Sequence, residues 1–343
     1  MISAVLALAT GSFQPVEANG AWMIQGPDGR KFLSNGVCCV NRGLKKEEWN
    51  PANPGFASHR IFESDKHWAH GAAATLRQFG FNTIGAWSDH DVLAGEGLYQ
   101  TPVLHLSASG IPWVDPWSAK AEADAYEVAR KQIEGWKKIP GVIGYFSDNE
   151  LGWWYGALFE WTWKGAPGTP GRRKAAEFFA KEYGSWESLT KDFEPEGAAS
   201  FGDLADRGRL FLKPGSKGLL AVKSWFGILA DRYYELSRKI IKDLHPGALF
   251  LGDRYISGYY PEVVRAAGRH VDVLSTNLNA DWPQGVFAPY YLQGLRDLAG
   301  RPIMITEYYS AAMENQSGNM NDSSGFPTLP TQRERIASFK RQT

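Results

Sequence analysis

The chain alternates short, continuous apolar runs with longer segments in which apolar residues recur every three or four positions. The short runs are typical of buried β-strands, and the wider spacing is typical of amphipathic helices. Strands that lack a clean alternation of apolar and polar residues suit a parallel sheet covered by helices. The pattern predicts seven such strands, at 37–40, 83–87, 101–106, 142–146, 249–251, 271–274 and 303–305.

Most of these strands are followed by a segment with helical spacing. The clearest helix spans 222–244, and another starts at Asp115-Pro116 because proline suits the first turn of a helix. Further helices are predicted at 66–79, 175–182, 261–267 and 292–298, with a helical start at 331. Before the first of the seven strands, the runs 22–24 and 31–33 flank Pro27-Asp28-Gly29-Arg30 and predict a β-hairpin.

Polar residues follow each predicted strand, as they do at the carboxyl ends of barrel strands, where barrel enzymes build their sites. Seven strand–helix units therefore favour an α/β fold of the (β/α)8 TIM-barrel type over a doubly wound sheet. No glycine-rich nucleotide fingerprint follows the first strand, which also disfavours the doubly wound alternative. We find no eighth strand before Thr343, and we expect a barrel truncated at that point.

The predicted domain organisation has two parts. Residues 1–30 form an N-terminal segment with the hairpin, and residues 31–343 form the barrel. Residues 152–220 are too long for a simple loop, and they predict an insertion after strand four that forms one wall of a site. The apolar run 2–9 has the length of a signal-peptide core but lacks preceding basic residues; a clipped signal or a first strand both fit, and we favour the signal.

Composition narrows the function classes. Lys plus Arg and Asp plus Glu number 37 each, so the zero net charge predicts no nucleic-acid or membrane partner. Two adjacent cysteines, Cys38 and Cys39, provide neither a disulfide framework nor a zinc site. The 14 tryptophans favour carbohydrate binding, because indoles stack on the apolar faces of sugar rings.

Two glutamates carry the candidate chemistry. Glu150 lies in the stretch GVIGYFSDNELGWW, after the apolar residues of strand four, and Glu307 follows strand seven, with aromatic residues after both. Hydrolysis of a glycosidic bond requires two carboxyl groups on either side of that bond. Because both residues follow parallel strands, we expect them at the same mouth of the barrel.

These motifs resemble the retaining glycoside hydrolases of clan A, the 4/7 superfamily, and within it most closely the beta-agarase and beta-galactosidase families. The resemblance covers residues 20–340 and rests on five stretches in matching order: FNTIGAWSD from Phe81, GYFSDNEL from Gly144, LGDR from Leu251, VDVLSTN from Val271 and PIMITE from Pro302.

The resemblance implies that Glu150 is the acid/base, that Glu307 is the nucleophile and that Asn149 binds the sugar 2-hydroxyl. We expect the two carboxyl groups about 5 Å apart, with Glu150 buried beside Trp153 and Trp154 so that its pKa is raised. Arg254 and Arg42 are the cations expected near Glu307. The predicted substrate-binding residues are Asn149, Trp87, Asp89, Trp153, Arg254, Asn277, Trp282 and Tyr308, and the predicted supporting residues are Arg42 and Asp148.

The sequence departs from the family pattern in two places. Asn277 occupies the place of a Tyr or His that touches the nucleophile in many clan members, and Tyr308 or Tyr309 is the candidate substitute. The strand-eight tryptophan that often forms the floor of the cleavage subsite is expected beyond Thr343, which places turnover by this chain in question.

The sequence therefore predicts a secreted or periplasmic retaining beta-glycosidase, without metal or cofactor, that acts on a galactose-containing, agarose-like polysaccharide or its oligosaccharides. Other substrates within the clan, those of a beta-galactosidase or beta-glucanase, remain open. A non-catalytic glycan-binding barrel is one alternative from another class. The other is a metal-dependent hydrolase, which requires His67, His70, Asp89 and His90 to converge on one ion.

Overall fold

The structure of the chain is a computed structural model, and it describes residues 11–255, 260–278, 287–314 and 328–342. Within these ranges the strands are β1 Gln14–Ala18, β2 Ala21–Gln25, β3 Lys31–Phe32, β4 Gly36–Val37, β5 Thr83–Ile84, β6 Tyr99–Gln100, β7 Gly144–Tyr145, β8 Phe193–Glu196, β9 Arg209–Leu212, β10 Leu249–Phe250, β11 Leu274–Asn277, β12 Ile303–Glu307, β13 Ala311–Ala312 and β14 Thr328–Leu329. The helices are α1 Asp65–Gln78, α2 Ala119–Trp136, α3 Tyr155–Lys164, α4 Pro170–Tyr183, α5 Trp186–Asp192, α6 Phe201–Asp206, α7 Gly218–Leu244, α8 Pro261–His270, α9 Pro289–Ala299 and α10 Gln332–Gln342.

The chain divides into two units, which are described separately here. Unit 1 contains Met1–Ser109, Ala123–Asp148 and Ser237–Leu251. Unit 2 contains Gly110–Glu122, Asn149–Leu236 and Gly252–Thr343.

Unit 1 is built on five parallel strands in the order β4-β5-β6-β7-β10, with β6 joined to β7 by two isolated bridges. The strands are apolar on both faces, as the continuous runs predict: Ile84, Ile143 and Phe250 are fully buried. Helix α1 packs Trp68 and Ala69 into the same cluster as Ile84. Gly144 is required for this pairing, because a Cβ there would lie 2.3 Å from the carbonyl oxygen of Leu249.

The predicted hairpin is confirmed as β2 and β3, which pair antiparallel, and β1 extends it to three strands. The turn is closed by the Gly26 N–H, which donates to the Arg30 carbonyl at 2.8 Å, and by Gly29 with φ of 78°. The candidate signal segment lies outside the described residues, and the boundary at residue 30 stays a prediction.

Unit 2 contains the insertion and the last parallel strands. The insertion folds into α3 to α6 with the antiparallel pair β8–β9. Its interior is aromatic, with Phe159, Trp163, Phe179 and Phe193 all buried. Strands β11 and β12 pair in parallel, and Tyr255 bridges to Thr276 on the other side of β11.

Three predicted boundaries are wrong, each for a physical reason. Helix α2 begins at Ala119 instead of Asp115, because Ser118 caps it by accepting the Ala121 N–H at 3.1 Å. The third strand pairs at 99–100 and at Val103, and a 3-10 helix occupies Leu106–Ser109. Strand β11 starts at Leu274, where the predicted strand ended, because its polar side chains are buried and hydrogen-bonded within the sheet.

Among the described residues, no helix combines the length and apolarity needed to cross a membrane.

Candidate active site

The side-chain amide of Asn277 lies between the two glutamates predicted to carry the chemistry. Its Nδ2 donates to Glu150 Oε1 at 2.8 Å and lies 3.4 Å from Glu307 Oε2, a longer and weaker contact. The same nitrogen lies 3.3 Å from Asn149 Oδ1. The two carboxylate oxygens are therefore no more than about 6 Å apart, within the range that two cooperating carboxyl groups require.

A β-bulge brings Asn277 to this position. Along β11 and β12, Thr276 pairs with Ile305, whereas Asn277 pairs with Glu307, so Thr306 is the extra residue. Such a bulge redirects side chains at the end of a strand. The hydroxyl of Thr306 then donates to Asn277 Oδ1 at 2.9 Å, which fixes the orientation of the amide with its nitrogen toward the carboxylates.

The guanidinium of Arg254 pairs with Glu307. The Arg254 side chain is fully buried, and its Nη2 lies 2.6 Å from Glu307 Oε2. The same nitrogen donates to the carbonyl of Thr306 at 3.1 Å, and the Arg254 N–H donates to Ser275 Oγ at 2.9 Å. Glu307 therefore faces a buried positive charge, while Glu150 receives a neutral amide N–H. The prediction that Arg254 lies against Glu307 is confirmed.

The backbone at the site is unusual at both Glu150 and Arg254. Each has φ of 51°, in the left-handed region that non-glycine residues rarely adopt. The Glu150 N–H donates to the Asp253 carbonyl at 3.1 Å, which links the two segments. Strained backbone of this kind persists where surrounding contacts over-determine it, and it clusters at functional sites.

Asp253 and its two hydrogen-bond partners, Trp153 and Tyr234, form a buried cluster next to this backbone. The Asp253 carboxyl accepts hydrogen bonds from Trp153 Nε1 at 3.1 Å and from the Tyr234 hydroxyl at 2.9 Å. Burial raises the pKa of Asp253 to about 6, although the two hydrogen bonds act in the opposite direction. Burial also raises the pKa of the Tyr234 hydroxyl.

The surroundings of Glu150 correct two predictions. Trp153 is only 2% exposed and packs against Tyr233 and Tyr234, so it supports the site from below and does not line it. Glu150 is exposed, so it is not buried beside indoles as predicted. Trp154 is 55% exposed, and its ring packs over Gly152, where a Cβ would meet it at 2.5 Å.

Two other candidate residues, Tyr308 and Trp282, belong to the sequence range of unit 2. Tyr308 is half-buried between Phe287 and Phe339, and burial raises its pKa. Within the described residues, the side chains that hydrogen-bond the Glu307 carboxyl are those of Arg254 and Asn277. Tyr308 therefore does not take the place of the Tyr or His that touches the nucleophile in many clan members. Trp282 lies outside the described residues.

Four candidates belong to unit 1. Arg42 donates through its backbone N–H and its Nε to Asp89 Oδ2, at 2.9 and 2.8 Å, and it also pairs with Asp65. Asp89 is thus held by a cation. Asp148 is buried and accepts the Ser107 N–H at 2.9 Å, as a structural carboxylate does. Trp87 is 42% exposed, and its ring lies 5.2 Å from that of His105.

The histidines do not converge on an ion. His90 is buried and bonded through Nδ1 to Gln100 Oε1 at 2.9 Å, and burial lowers its pKa. His67 packs edge-on against Phe62, and His70 pairs with Glu96. In the part of the chain that the structure describes, no group of three or more His, Cys, Asp or Glu residues could hold a metal. The metal-dependent alternative therefore lacks its ligand set there.

Fold and site together define an α/β protein in which two glutamate carboxyl groups both contact the side-chain amide of Asn277. No family model matches the chain. Beta-agarase A of Vibrio sp. (strain JT0107) is 24% identical over 291 residues, which cover 74% of this chain and 28% of that protein. The crystal structure of an agarase has a TM-score of 0.76 at 20% identity, over 99% of this chain and 57% of that one. The structure of an exo-beta-agarase has a TM-score of 0.76 at 18% identity, over 98% and 58%.

These similarities show the fold that the chain shares with the solved agarases. The chain spans about a quarter of the curated relative and less than two thirds of the solved structures.

The sequence did not predict the buried hydrogen bonds of Asp253 with Trp153 and Tyr234. Asp253 lies in the LGDR stretch but was not among the candidate residues, and neither was Tyr234. The available sequence clue was a carboxylate directly after an apolar strand, next to an arginine that was itself a candidate.

Proposed function

We propose that this chain is a retaining beta-glycosidase acting on a galactose-containing, agarose-like polysaccharide or its oligosaccharides. The observation that carries the proposal is the bridging amide of Asn277. It limits the distance between Glu150 Oε1 and Glu307 Oε2 to about 6 Å, which supports the close spacing of a retaining pair, about 5–5.5 Å between the carboxyl groups. The likeness to beta-agarase A supports the choice of substrate class.

The charges around the two carboxyl groups support their division of roles. Glu307 faces the buried Arg254 guanidinium and is the nucleophile, since an attacking carboxylate must be ionised. Glu150 lies against the neutral amide of Asn277 and is the acid/base. Asn149, the preceding residue, hydrogen-bonds the sugar 2-hydroxyl in the cleavage subsite in this proposal.

The reaction proceeds in two displacements. A Glu307 oxygen forms a bond to the anomeric carbon as the glycosidic C–O bond breaks, and Glu150 gives its proton to the leaving oxygen. Glu150, now a carboxylate, then takes a proton from water, whose oxygen attacks the anomeric carbon and releases Glu307. Two inversions give a product with the original β configuration.

We also propose the finer fold, a (β/α)8 barrel, for the strands that carry this site. The parallel order of neighbouring strands in each unit supports it. Export from the cytoplasm is part of the proposal, and it rests on the apolar run 2–9 alone.

The test is hydrolysis of agarose-derived oligosaccharides and aryl β-galactosides by the wild-type chain, Glu150→Gln and Glu307→Gln. We expect each variant to lose about 10³-fold or more in kcat, because neither displacement proceeds without its carboxyl group. Glu177→Gln, an exposed glutamate on α4, is the matched control and should retain full activity.

Two further readouts separate the alternatives. Proton NMR of the first product should show the β anomer, and an α anomer would refute retention. Full activity of Glu307→Gln would refute the assigned nucleophile. A wild-type chain that binds the oligosaccharides without hydrolysing them would support the glycan-binding alternative instead.

A further inference from the structure

Unit 2 contains a cavity of about 320 Å³ that the chemistry of the two glutamates does not use. It lies between the loop 112–118, helix α3, the start of α4 and helix α7. We refer to it as the tryptophan pocket, since four indoles line it: Trp113, Trp117, Trp161 and Trp225. Its volume is at the lower end of the range for sites that hold small organic ligands.

The floor of the tryptophan pocket is rigid. Trp117 and Trp225 are stacked with ring centres 5.6 Å apart and planes inclined by 29°. Trp225 is buried, and its Nε1 donates to Thr162 Oγ1 at 3.1 Å. The loop above it is held by Asp115, whose carboxyl accepts the N–H groups of Trp117 and Gly171 at 2.9 and 2.7 Å. A ligand thus meets walls that are already formed.

The polar groups of the tryptophan pocket are few and fixed. The ammonium of Lys164 lies 5.6 Å from the ring centre of Trp161. The Thr169 hydroxyl oxygen is buried and has no hydrogen-bond partner among the described residues. A buried hydroxyl without a partner costs free energy unless a ligand or water supplies one. Aromatic faces with a few fixed polar groups are the surroundings that a sugar ring requires.

A run of three tryptophans, two of them exposed, joins the pocket to the segment that carries Glu150. Trp154 follows Glu150 by four residues, and its ring centre lies 6.0 Å from that of Trp113. Trp113 in turn lies 6.3 Å from Trp161. Trp154 and Trp161 are 55% and 47% exposed, although indole is a side chain that proteins normally bury in large part. Contiguous exposed aromatic surface of this kind marks a binding site.

We propose that the tryptophan pocket binds a sugar ring on the leaving-group side of the scissile bond, an inference that rests on the proposed function. The acid must lie beside the leaving oxygen to protonate it, so the sugars that leave are those next to Glu150. The tryptophans begin with Trp154, four residues after Glu150 in sequence, and continue through Trp113 to Trp161 in the pocket. The occupant is therefore the downstream part of a β-linked galactan chain.

The test compares two substrates that differ only in their leaving group. One is an agarose-derived tetrasaccharide, and the other is the 4-nitrophenyl β-glycoside of the same disaccharide unit, which has no downstream sugar. For Trp161→Ala we expect kcat/KM to fall at least about tenfold more for the tetrasaccharide than for the aryl glycoside, because only the tetrasaccharide reaches the pocket. Trp22→Ala, which removes a 41% exposed indole on β2 of unit 1, is the matched control and should affect both substrates equally.

A milder variant guards against misfolding. Thr169→Val keeps the shape of the side chain and removes its hydroxyl, and we expect KM for the tetrasaccharide to rise severalfold with kcat nearly unchanged. Tryptophan fluorescence measures binding of the tetrasaccharide to the Glu307→Gln variant. We expect the double variant Glu307→Gln, Trp161→Ala to bind it more weakly than Glu307→Gln alone.

The outcomes distinguish this inference from the proposed function. Equal losses on the two substrates, or no loss in either pocket variant, would overturn the pocket assignment while the wild-type hydrolysis of the tetrasaccharide upholds the glycosidase. A wild-type chain that hydrolyses neither substrate overturns the proposed function, and the inference is rejected with it.

Discussion

Replacement of Asp253 by asparagine isolates the cost of one buried carboxyl group. Burial raises the pKa of Asp253 from its ordinary value of 3.8 to about 6. Below pH 3.8 the group is protonated in the folded and the unfolded chain alike, so folding carries no ionisation cost. As the pH rises, the unfolded chain ionises first, and the stability contributed by the protonated native form is lost as the pH passes the folded pKa. The shift corresponds to about 3 kcal/mol less stability above pH 6 than below pH 4.

Asparagine stays neutral at every pH, so Asp253→Asn lacks this loss. The measurement is urea unfolding of both proteins at pH 4, 5, 6 and 7, with the difference in free energy of unfolding plotted against pH. Relative to the wild type, the variant should gain about 2.4 kcal/mol between pH 4 and 7, since part of the total change falls below pH 4. Any constant offset from altered bonds to Trp153 or Tyr234 cancels in this slope. Asp206→Asn, at an exposed position on α6, is the matched control in the same urea titrations. A flat difference for Asp253→Asn would refute the raised pKa.

Two further predictions concern the packing of unit 2. Arg172→Met should lower the free energy of unfolding, measured by urea titration, by about 3–5 kcal/mol. The buried guanidinium donates to five backbone carbonyls of the insertion, and these would lose their partner. The control Arg173→Met, at an exposed position, should change the free energy of unfolding little. Gly268→Ala should cost about 2 kcal/mol or more, since its Cβ would lie 2.2 Å from the Ala299 carbonyl oxygen, whereas Gly227→Ala on α7 should be neutral or slightly stabilising by thermal unfolding.

Much of the fold was predictable because its strands and helices have local signatures. The run 142–146 is apolar on both faces, and the structure buries it on both faces in a parallel sheet. Helix α7 follows its three-and-four spacing to Leu244 as predicted. The boundary errors arise where a polar residue acts locally: Ser118 caps a helix that proline was expected to start, and Ser275 and Thr276 lie inside a strand.

The candidate site was predictable only in part. The glutamates and Arg254 were found because polar residues after apolar strands share one end of a sheet. The burial of Trp153 was not predictable, since its partner Asp253 lies 100 residues away in sequence. The exposure of Glu150 was also not predictable. The sequence Trp153-Trp154 does not reveal which of the two rings is buried, and therefore whether either ring covers Glu150.

The dipeptide Asp253-Arg254 contacts both of the segments that carry the glutamates. The Asp253 carbonyl accepts the Glu150 N–H at 3.1 Å, and the Arg254 guanidinium holds Glu307 at 2.6 Å. Left-handed φ at Glu150 and Arg254 costs about 1–2 kcal/mol per residue, and these contacts offset it. One short segment thus contacts the backbone of Glu150 and the carboxyl group of Glu307. The contacts that hold the two glutamate segments therefore come from neither glutamate motif, but from two residues that follow β10 and lie between the motifs in sequence.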